Sequence, residues 1–283
     1  MAAFLCAAFF SGCIASQPYV SRERLQRGLV IVLPGIEGRS GFNEAICRGL
    51  NDGGVNWAIE LYDWTFVLFG PLYNLRNEQG NREKAEWVAD RIVRYQVSYP
   101  DRPVILVGQS GGGAIAAWVA EALPGGTGID GIIMLAVSMS PNYMLDDALA
   151  KTRLGIISFY SSRDWFLLGL GTTISGTMDG EHTSSAGRIG FELPSEPRRA
   201  KTYEKLLEVP WFEKMAKTGH AGGHLTSGAG RFVRRYVAPF VRANRWDQQQ
   251  VARVLRGEKV DVVPPRPLLR WKPMPQSTTA PTH

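Results

Sequence analysis

One serine stands in a context that could make its hydroxyl a nucleophile. Residues 104–113 read V-I-L-V-G-Q-S-G-G-G, so Ser110 follows an apolar segment and lies between Gly108 and Gly112 in the pattern G-x-S-x-G. The apolar segment predicts a buried strand, and residues 113–120 predict a helix that packs closely on a sheet. Such a strained turn exposes the serine, and glycines on both sides avoid collisions with neighbouring backbone. The context predicts a nucleophilic Ser110; the alternative is a glycine-rich turn with a bystander serine.

This strand, serine turn and helix resemble the α/β-hydrolase superfamily. The resemblance covers about residues 28–244, and a few short motifs carry it. It implies a nucleophilic serine, an acid and a histidine in that order along the chain, with no cofactor and no metal. It also implies an oxyanion hole made of backbone N–H groups.

The base must be one of four histidines, and two of them share a glycine-rich stretch. His220 and His224 lie in T-G-H-A-G-G-H-L, whereas His283 is the last residue of the chain. The G-G-H-L run before a helix resembles the superfamily's histidine loop, which implies His224 as the base. His220 and His182 remain alternatives.

The orienting acid is expected after the strand predicted at residues 155–160. That strand is followed by S-S-R-D, and this run resembles the superfamily's acid position, which implies Asp164. An Asx-type turn or an ion pair with Arg163 would explain the same residue without catalysis. The other candidates are aspartates elsewhere in the chain: Asp146, Asp147 and Asp179.

Two backbone N–H groups are expected to bind the oxyanion. One belongs to Gly111, the residue after the nucleophile. The other is implied by L-P-G-I-E-G at residues 33–38, which resembles the superfamily's strand-H-G-x loop with Pro34 in place of the common histidine. By that match the second donor is the N–H of Ile36; a plain turn is the alternative.

Strand and helix patterns alternate along the chain, which predicts a doubly wound, mainly parallel α/β sheet with flanking helices. Ligands of such sheets bind at the carboxyl ends of the strands, where all the motifs above fall. The domain is predicted over residues 28–245. Strands are predicted at 28–33, 56–62, 104–107, 131–137, 155–160 and 211–217, and helices at 43–50, 83–97, 204–207 and 232–242.

Length and composition suit one sizeable domain with a real core: 283 residues, of which 45% are hydrophobic. The net charge of +6 comes from separated Arg and Lys residues, so nucleic acid is not an expected partner. The cysteines Cys6, Cys13 and Cys47 form neither a CxxC pair nor a metal cluster.

The two ends of the chain have their own patterns. Residues 1–13 are mostly apolar and end in S-G-C, which resembles a bacterial lipoprotein cleavage site. That match implies an exported protein attached to a membrane through Cys13; the alternative is a cytoplasmic enzyme with an uncleaved N-terminus. Residues 259–283 are rich in proline, then in Ser and Thr, and are predicted to form a disordered tail.

Residues 63–75 form a dense apolar segment after a predicted strand end, D-W-T-F-V-L-F-G-P-L-Y-N-L. They are expected to fill the core or cap the sheet or, alternatively, to form a wall for an acyl chain or a lid. Together the motifs predict a serine hydrolase that cleaves small-molecule carboxylic esters through an acyl-enzyme. The alternatives are a peptidase or thioesterase with the same three residues, or a non-catalytic binding protein of the cell envelope.

Overall fold

The structure is a computed structural model that describes residues 17–66, 68–164, 167–168, 172–173, 177–181, 183–260 and 262. The segment predicted as a lipoprotein signal lies outside the described residues, as does nearly all of the predicted tail. Among the helices that are described, none combines the length and the apolar character needed to cross a membrane.

Six strands form one parallel sheet, as predicted. In chain order they are β1 (Leu29–Leu33), β2 (Ala58–Leu61), β3 (Val104–Gln109), β4 (Ile129–Leu135), β5 (Thr152–Tyr160) and β6 (Leu206–Pro210). Their order across the sheet is β2-β1-β3-β4-β5-β6, and every neighbouring pair is parallel. Leu167–Leu168 and Thr172–Thr173 pair separately as two short antiparallel strands.

Helices cover both faces of the sheet. They are α1 (Arg22–Leu25), α2 (Gly41–Asp52), α3 (Gly70–Arg76), α4 (Glu78–Ser98), α5 (Gly111–Ala122), α6 (Asp146–Ala150), α7 (Ala186–Ile189), α8 (Pro197–Tyr203), α9 (Gly230–Phe232), α10 (Ala238–Arg242) and α11 (Gln248–Arg256). A π-helical turn, Val233–Val237, joins α9 to α10. Short 3₁₀ helices span Glu213–Thr218 and His224–Gly228.

The central strands are buried on both sides, and their alternate residues enter two separate apolar clusters. In β3, Val104 and Leu106 pack with α4 and α5, whereas Ile105 and Val107 pack with α2 and with the segment from α9 to α10. Side chains of a strand alternate between faces, so an unbroken apolar run is what a strand covered on both faces requires. The doubly wound class of the fold follows from this pattern.

The end of the sheet differs from the prediction. The helix predicted at residues 204–207 and the strand predicted at 211–217 are both wrong, because the last strand is β6 and residues 213–218 form a 3₁₀ helix. In β6, Leu206, Leu207 and Val209 are buried beside β5, while Glu208 accepts a hydrogen bond from the N–H of Phe191. The strand pattern is hard to recognise because Glu208 interrupts a short apolar run. The aromatic pair Trp211 and Phe212 that follows it resembles the start of a strand, although the chain there leads into a 3₁₀ helix.

The helix predicted at 232–242 is present but is not the last one. After it comes α11, which buries Val251 and Val254. Its ends carry ordinary sequence signals: the Asp247 side chain accepts from the N–H of Gln250, and Gly257 adopts a left-handed conformation with φ 89°. Aspartate before a helix and glycine after it are common boundary residues, so this helix could have been predicted.

Candidate active site

Ser110 sits on a strained turn at the carboxyl end of β3. Its backbone angles are φ 55° and ψ −124°, a region that non-glycine residues rarely occupy. Neighbouring backbone holds it there: the N–H of Ser110 donates to the carbonyl of Leu135 at 2.9 Å, and its own carbonyl accepts from the N–H of Ser138 at 3.1 Å. The turn is therefore fixed by the strand beside it.

The glycines on either side of Ser110 are required by space. A Cβ on Gly108 would overlap the carbonyl of Gly112, and a Cβ on Gly112 would overlap the carbonyls of Leu33 and Pro34. The start of α5 consequently rests directly on β3 and on the loop that follows β1.

His224 and Asp164 meet Ser110 in the predicted order. His224 begins a 3₁₀ helix, and its Nε2 lies 2.7 Å from Ser110 Oγ. Its Nδ1 lies 2.9 Å from Asp164 Oδ2 and 3.1 Å from Oδ1. Because a carboxylate only accepts, Nδ1–H donates to Asp164 and Nε2 is left to accept from the Ser110 hydroxyl. All three side chains are buried.

The loop that carries Asp164 is held against the histidine loop. The Arg163 guanidinium stacks on the Trp211 ring at 4.3 Å, and Trp211 Nε1–H donates to the carbonyl of His220 at 2.7 Å. Two side chains thus connect the end of β5 with the chain that leaves β6. The sequence suggests Arg163 only as an ion-pair partner of Asp164, and it gives no signal for the role of Trp211, because a lone Trp after a strand is unremarkable.

His220 occupies a different position from His224. Its ring lies edge-on against Phe232 at 4.6 Å, and its Nδ1 is 3.0 Å from Thr226 Oγ1. Thr226 Oγ1 donates to the carbonyl of Gly223, so it accepts from His220 Nδ1–H. Burial lowers the pKa of His220 to about 4. His220 is accordingly a neutral side chain that braces the loop before His224.

The other candidate residues lie elsewhere. His182 and His283 are outside the described residues. Asp146, Asp147 and Asp179 line a cavity of about 710 Å³ beside α6, together with Glu78, Glu121 and Glu181. Asp179 accepts a hydrogen bond from the N–H of Ser140 at 3.0 Å. Among the described residues, no group of three or more His, Cys, Asp or Glu side chains could hold a metal ion.

The two predicted oxyanion donors lie on adjoining segments. The N–H of Gly111 is the first of α5 and has no acceptor within the helix. Ile36 lies in the loop after β1, and its Cγ2 is 2.9 Å from the point where a Cβ on Gly111 would stand. The loop therefore borders the nucleophile turn, and the roles of both N–H groups stay predictions.

The apolar segment at residues 63–75 is divided between core and surface. Trp64 and Leu75 are buried, but Leu68 is 94% exposed and Phe69 62% exposed. Five residues of the segment do not enter the core: four are exposed and Phe66 is half-buried. We call these five residues the aromatic lip. They are Phe66, Leu68, Phe69, Leu72 and Tyr73. Their rings pack on one another, with centroids 4.6 Å apart for Phe69 and Tyr73 and 5.5 Å apart for Phe66 and Tyr73. Val67 lies outside the described residues.

The chain is similar to solved structures only at low sequence identity. No protein-family model and no curated protein matches the sequence. Solved structures to which the chain is similar include dienelactone hydrolase from Anabaena variabilis, at 16% identity over 75% of this chain and 84% of that one, with a TM-score of 0.44. Another is a cutinase-like protein from Cryptococcus sp., at 16% identity over 83% and 97% of the two chains, with a TM-score of 0.39. The parallel sheet and the serine turn agree with the resemblance to the α/β-hydrolase superfamily.

The low pKa of His220 predicts a pH dependence of stability. In the unfolded chain this imidazole titrates near its ordinary 6.5, so between pH 6.5 and 4 the unfolded state binds a proton that the folded state does not. The contribution of His220 to the free energy of unfolding is therefore fully present above pH 6.5 and is lost as the pH falls towards 4. We expect the free energy of unfolding of the wild type to fall by roughly 2 kcal/mol more than that of His220→Asn between pH 7.5 and 4.5. Asn is a suitable replacement because it does not titrate and can still donate to Thr226.

Urea unfolding of both proteins at the two pH values measures this difference. The remaining titratable groups are common to both proteins and cancel in the comparison. An equal loss of stability in wild type and variant would contradict a neutral, buried His220.

Proposed function

We propose that the protein is a serine hydrolase that cleaves carboxylic esters through an acyl-enzyme intermediate. The observation that carries the proposal is the chain of contacts from Ser110 Oγ to His224 Nε2 at 2.7 Å and from His224 Nδ1 to Asp164 at 2.9 Å. A hydroxyl is a weak nucleophile until a base accepts its proton, and a base needs an acceptor on its far side to hold the right tautomer. In this proposal Ser110 supplies the nucleophile, His224 the base and Asp164 the acceptor, and all three side chains are buried.

Attack begins when the Ser110 hydroxyl transfers its proton to His224 Nε2. Oγ forms a bond to the carbonyl carbon of the ester, and the π electrons of the carbonyl move to its oxygen. The N–H groups of Gly111 and Ile36 bind the resulting oxyanion, while the Asp164 carboxylate stabilises the imidazolium.

Collapse of this intermediate breaks the bond to the alcohol oxygen, and His224 returns its proton to that leaving group. The acyl group then remains on Ser110 Oγ. A water molecule gives a proton to His224 and attacks the acyl carbon, after which the same proton returns to Ser110 Oγ and the carboxylic acid leaves.

Replacing Ser110 tests the proposal directly. We expect Ser110→Ala to lower kcat on p-nitrophenyl esters by about 10⁴- to 10⁶-fold without unfolding the protein, because no other group can form the acyl-enzyme. A fluorophosphonate probe should label the wild type at the peptide that contains Ser110 and should leave the variant unlabelled.

Ser158→Ala is the matched control. Ser158 is fully buried in β5, and its Oγ has no hydrogen-bond partner among the described residues, so its removal should leave both stability and turnover unchanged. Wild-type turnover in Ser110→Ala would contradict the hydrolase assignment. An unlabelled wild type would favour the non-catalytic alternative.

The aromatic lip suggests that the acyl group is apolar. We propose that it forms a wall for the acyl chain, since an exposed apolar patch marks a ligand surface and this one is joined through Asn74 to the loop that carries Ile36. Phe69→Ser combined with Leu72→Ser should lower kcat/KM for an octanoate ester at least fivefold more than for an acetate ester. Val97→Ser is the control, because Val97 is 80% exposed at the far end of α4. An unchanged chain-length preference would exclude the lip from the acyl site.

We also propose that the protein is exported and attached to a membrane through Cys13. In the folded domain Gln17 Nε2 donates to the carbonyl of Leu61 at 2.8 Å, and the N–H of Leu61 donates to Gln17 Oε1 at 3.1 Å. An anchor at Cys13 would therefore be tied closely to the edge of the sheet. Mass spectrometry of the native protein should find Cys13 as a lipidated first residue, and Cys13→Ser should abolish that modification. An intact segment 1–13 would contradict the assignment.

A further inference from the structure

We propose that Trp64 and Asn74 are positioning residues that orient the N–H of Ile36 towards the oxyanion. This inference rests on the proposed ester hydrolysis. Both side chains act through the backbone of residues 34–36 and not on the reacting atoms themselves. We call residues 34–36 the oxyanion loop.

Each residue donates one hydrogen bond to a different carbonyl of that loop. Trp64 Nε1–H donates to the carbonyl of Pro34 at 2.7 Å, and Asn74 Nδ2–H donates to the carbonyl of Ile36 at 2.9 Å. Trp64 is 1% exposed and Asn74 2% exposed, so water cannot replace either donor without rearrangement. A buried carbonyl deprived of its donor would turn to find another partner.

The two bonds constrain the peptide unit that lies between them. The Pro34 carbonyl belongs to the peptide unit before Gly35, and the Ile36 carbonyl belongs to the unit after Ile36. Because peptide units are planar, fixing both flanking units restricts the orientation of the N–H of Ile36 in the middle. The middle unit is also held through its own carbonyl, because the Gly35 oxygen accepts from the N–H of Gly38 at 3.0 Å.

The supports of the oxyanion loop are themselves fixed. Asn74 Oδ1 accepts from the N–H of Phe66 at 2.9 Å, and the carbonyl of Asn74 accepts from Asn81 Nδ2 at 2.6 Å. Asn81 is fully buried on α4, whose apolar face packs against the sheet. Asn74 is therefore held from two sides, by the backbone of Phe66 and, through Asn81, by the core.

Trp64 also lies against the turn that carries the other predicted donor, Gly111. Its Cζ2 lies 3.4 Å from the point where a Cβ on Gly111 would stand. One indole thus contacts the turn that presents Gly111 and hydrogen-bonds the loop that presents Ile36. This arrangement sets the spacing of the two N–H groups, on which binding of a single oxygen depends.

Trp64→Phe removes the N–H and keeps most of the ring. Loss of an entire oxyanion donor costs about 10²- to 10³-fold in kcat, so a donor that is retained but less well oriented should cost about tenfold. KM for a short ester should change little, because the oxyanion exists only in the transition state. The Ki of a trifluoromethyl ketone, which forms a hemiketal oxyanion on the serine, should rise by the same factor as kcat falls.

Trp246→Phe is the matched control. Trp246 is also buried, and its Nε1–H donates to the carbonyl of Phe240 at 3.0 Å, outside the site. Asn74→Asp is a second test, because its carboxylate can still accept from Phe66 but cannot donate to Ile36. Both site variants should lose kcat and inhibitor affinity together, with an unchanged pH profile, whereas Trp246→Phe should lose neither.

Rates are measured per active site, titrated to completion with a fluorophosphonate on the full-length chain. Wild-type kcat and Ki in both site variants would overturn the positioning role. A lower melting temperature with unchanged kcat per site would also overturn it, since that result describes a structural role alone. A wild type that neither hydrolyses esters nor reacts with the probe would instead overturn the proposed function, and this inference with it.

Discussion

The backbone at Ser110 is the constraint on which the rest of the structure depends. A non-glycine residue at φ 55° and ψ −124° costs on the order of 1–3 kcal/mol, so the surrounding chain must hold it in place. Three strands do this: β3 leads into the turn, Leu135 at the end of β4 accepts its N–H, and the Leu33 carbonyl of β1 packs against Gly112. This support is available because β3 lies inside the sheet, with β1 on one side and β4 on the other.

From this fixed point the other two side chains are brought in by long-range packing. Asp164 lies 60 residues before His224, and Ser110 lies 114 residues before it, so no local signal couples them. The coupling comes from parallel strands, whose carboxyl ends share one edge, and from a clamp in which Arg163 stacks on Trp211 while Trp211 bonds the His220 carbonyl. The clamp joins the acid loop to the base loop without contacting the serine.

Features that depend on local residue patterns could be predicted from the sequence, whereas features that depend on packing between distant segments could not. The serine turn, β1, β3 and β5 are evident because unbroken apolar runs and obligatory glycines leave a clear pattern. The edge strand β6 is missed because it is short and a charged residue, Glu208, interrupts its apolar run. The choice between His220 and His224 is open in sequence, since both share one glycine-rich loop. The structure separates them by surroundings: Phe232 and Thr226 enclose one imidazole, and Ser110 and Asp164 flank the other.

Residues 63–75 show why composition alone could not assign a role to an apolar segment. The short helix α3 turns Asn74 and Leu75 inward and leaves Leu72 and Tyr73 at the surface, so neighbouring residues have opposite environments. Under the proposed function, the exposed half meets the acyl chain while the buried half supports the oxyanion loop. Substrate contact and orientation of the oxyanion donor would then depend on one continuous piece of chain. A change in the packing of that segment would alter both acyl preference and turnover, whereas a change on the acid and base loops would alter turnover alone.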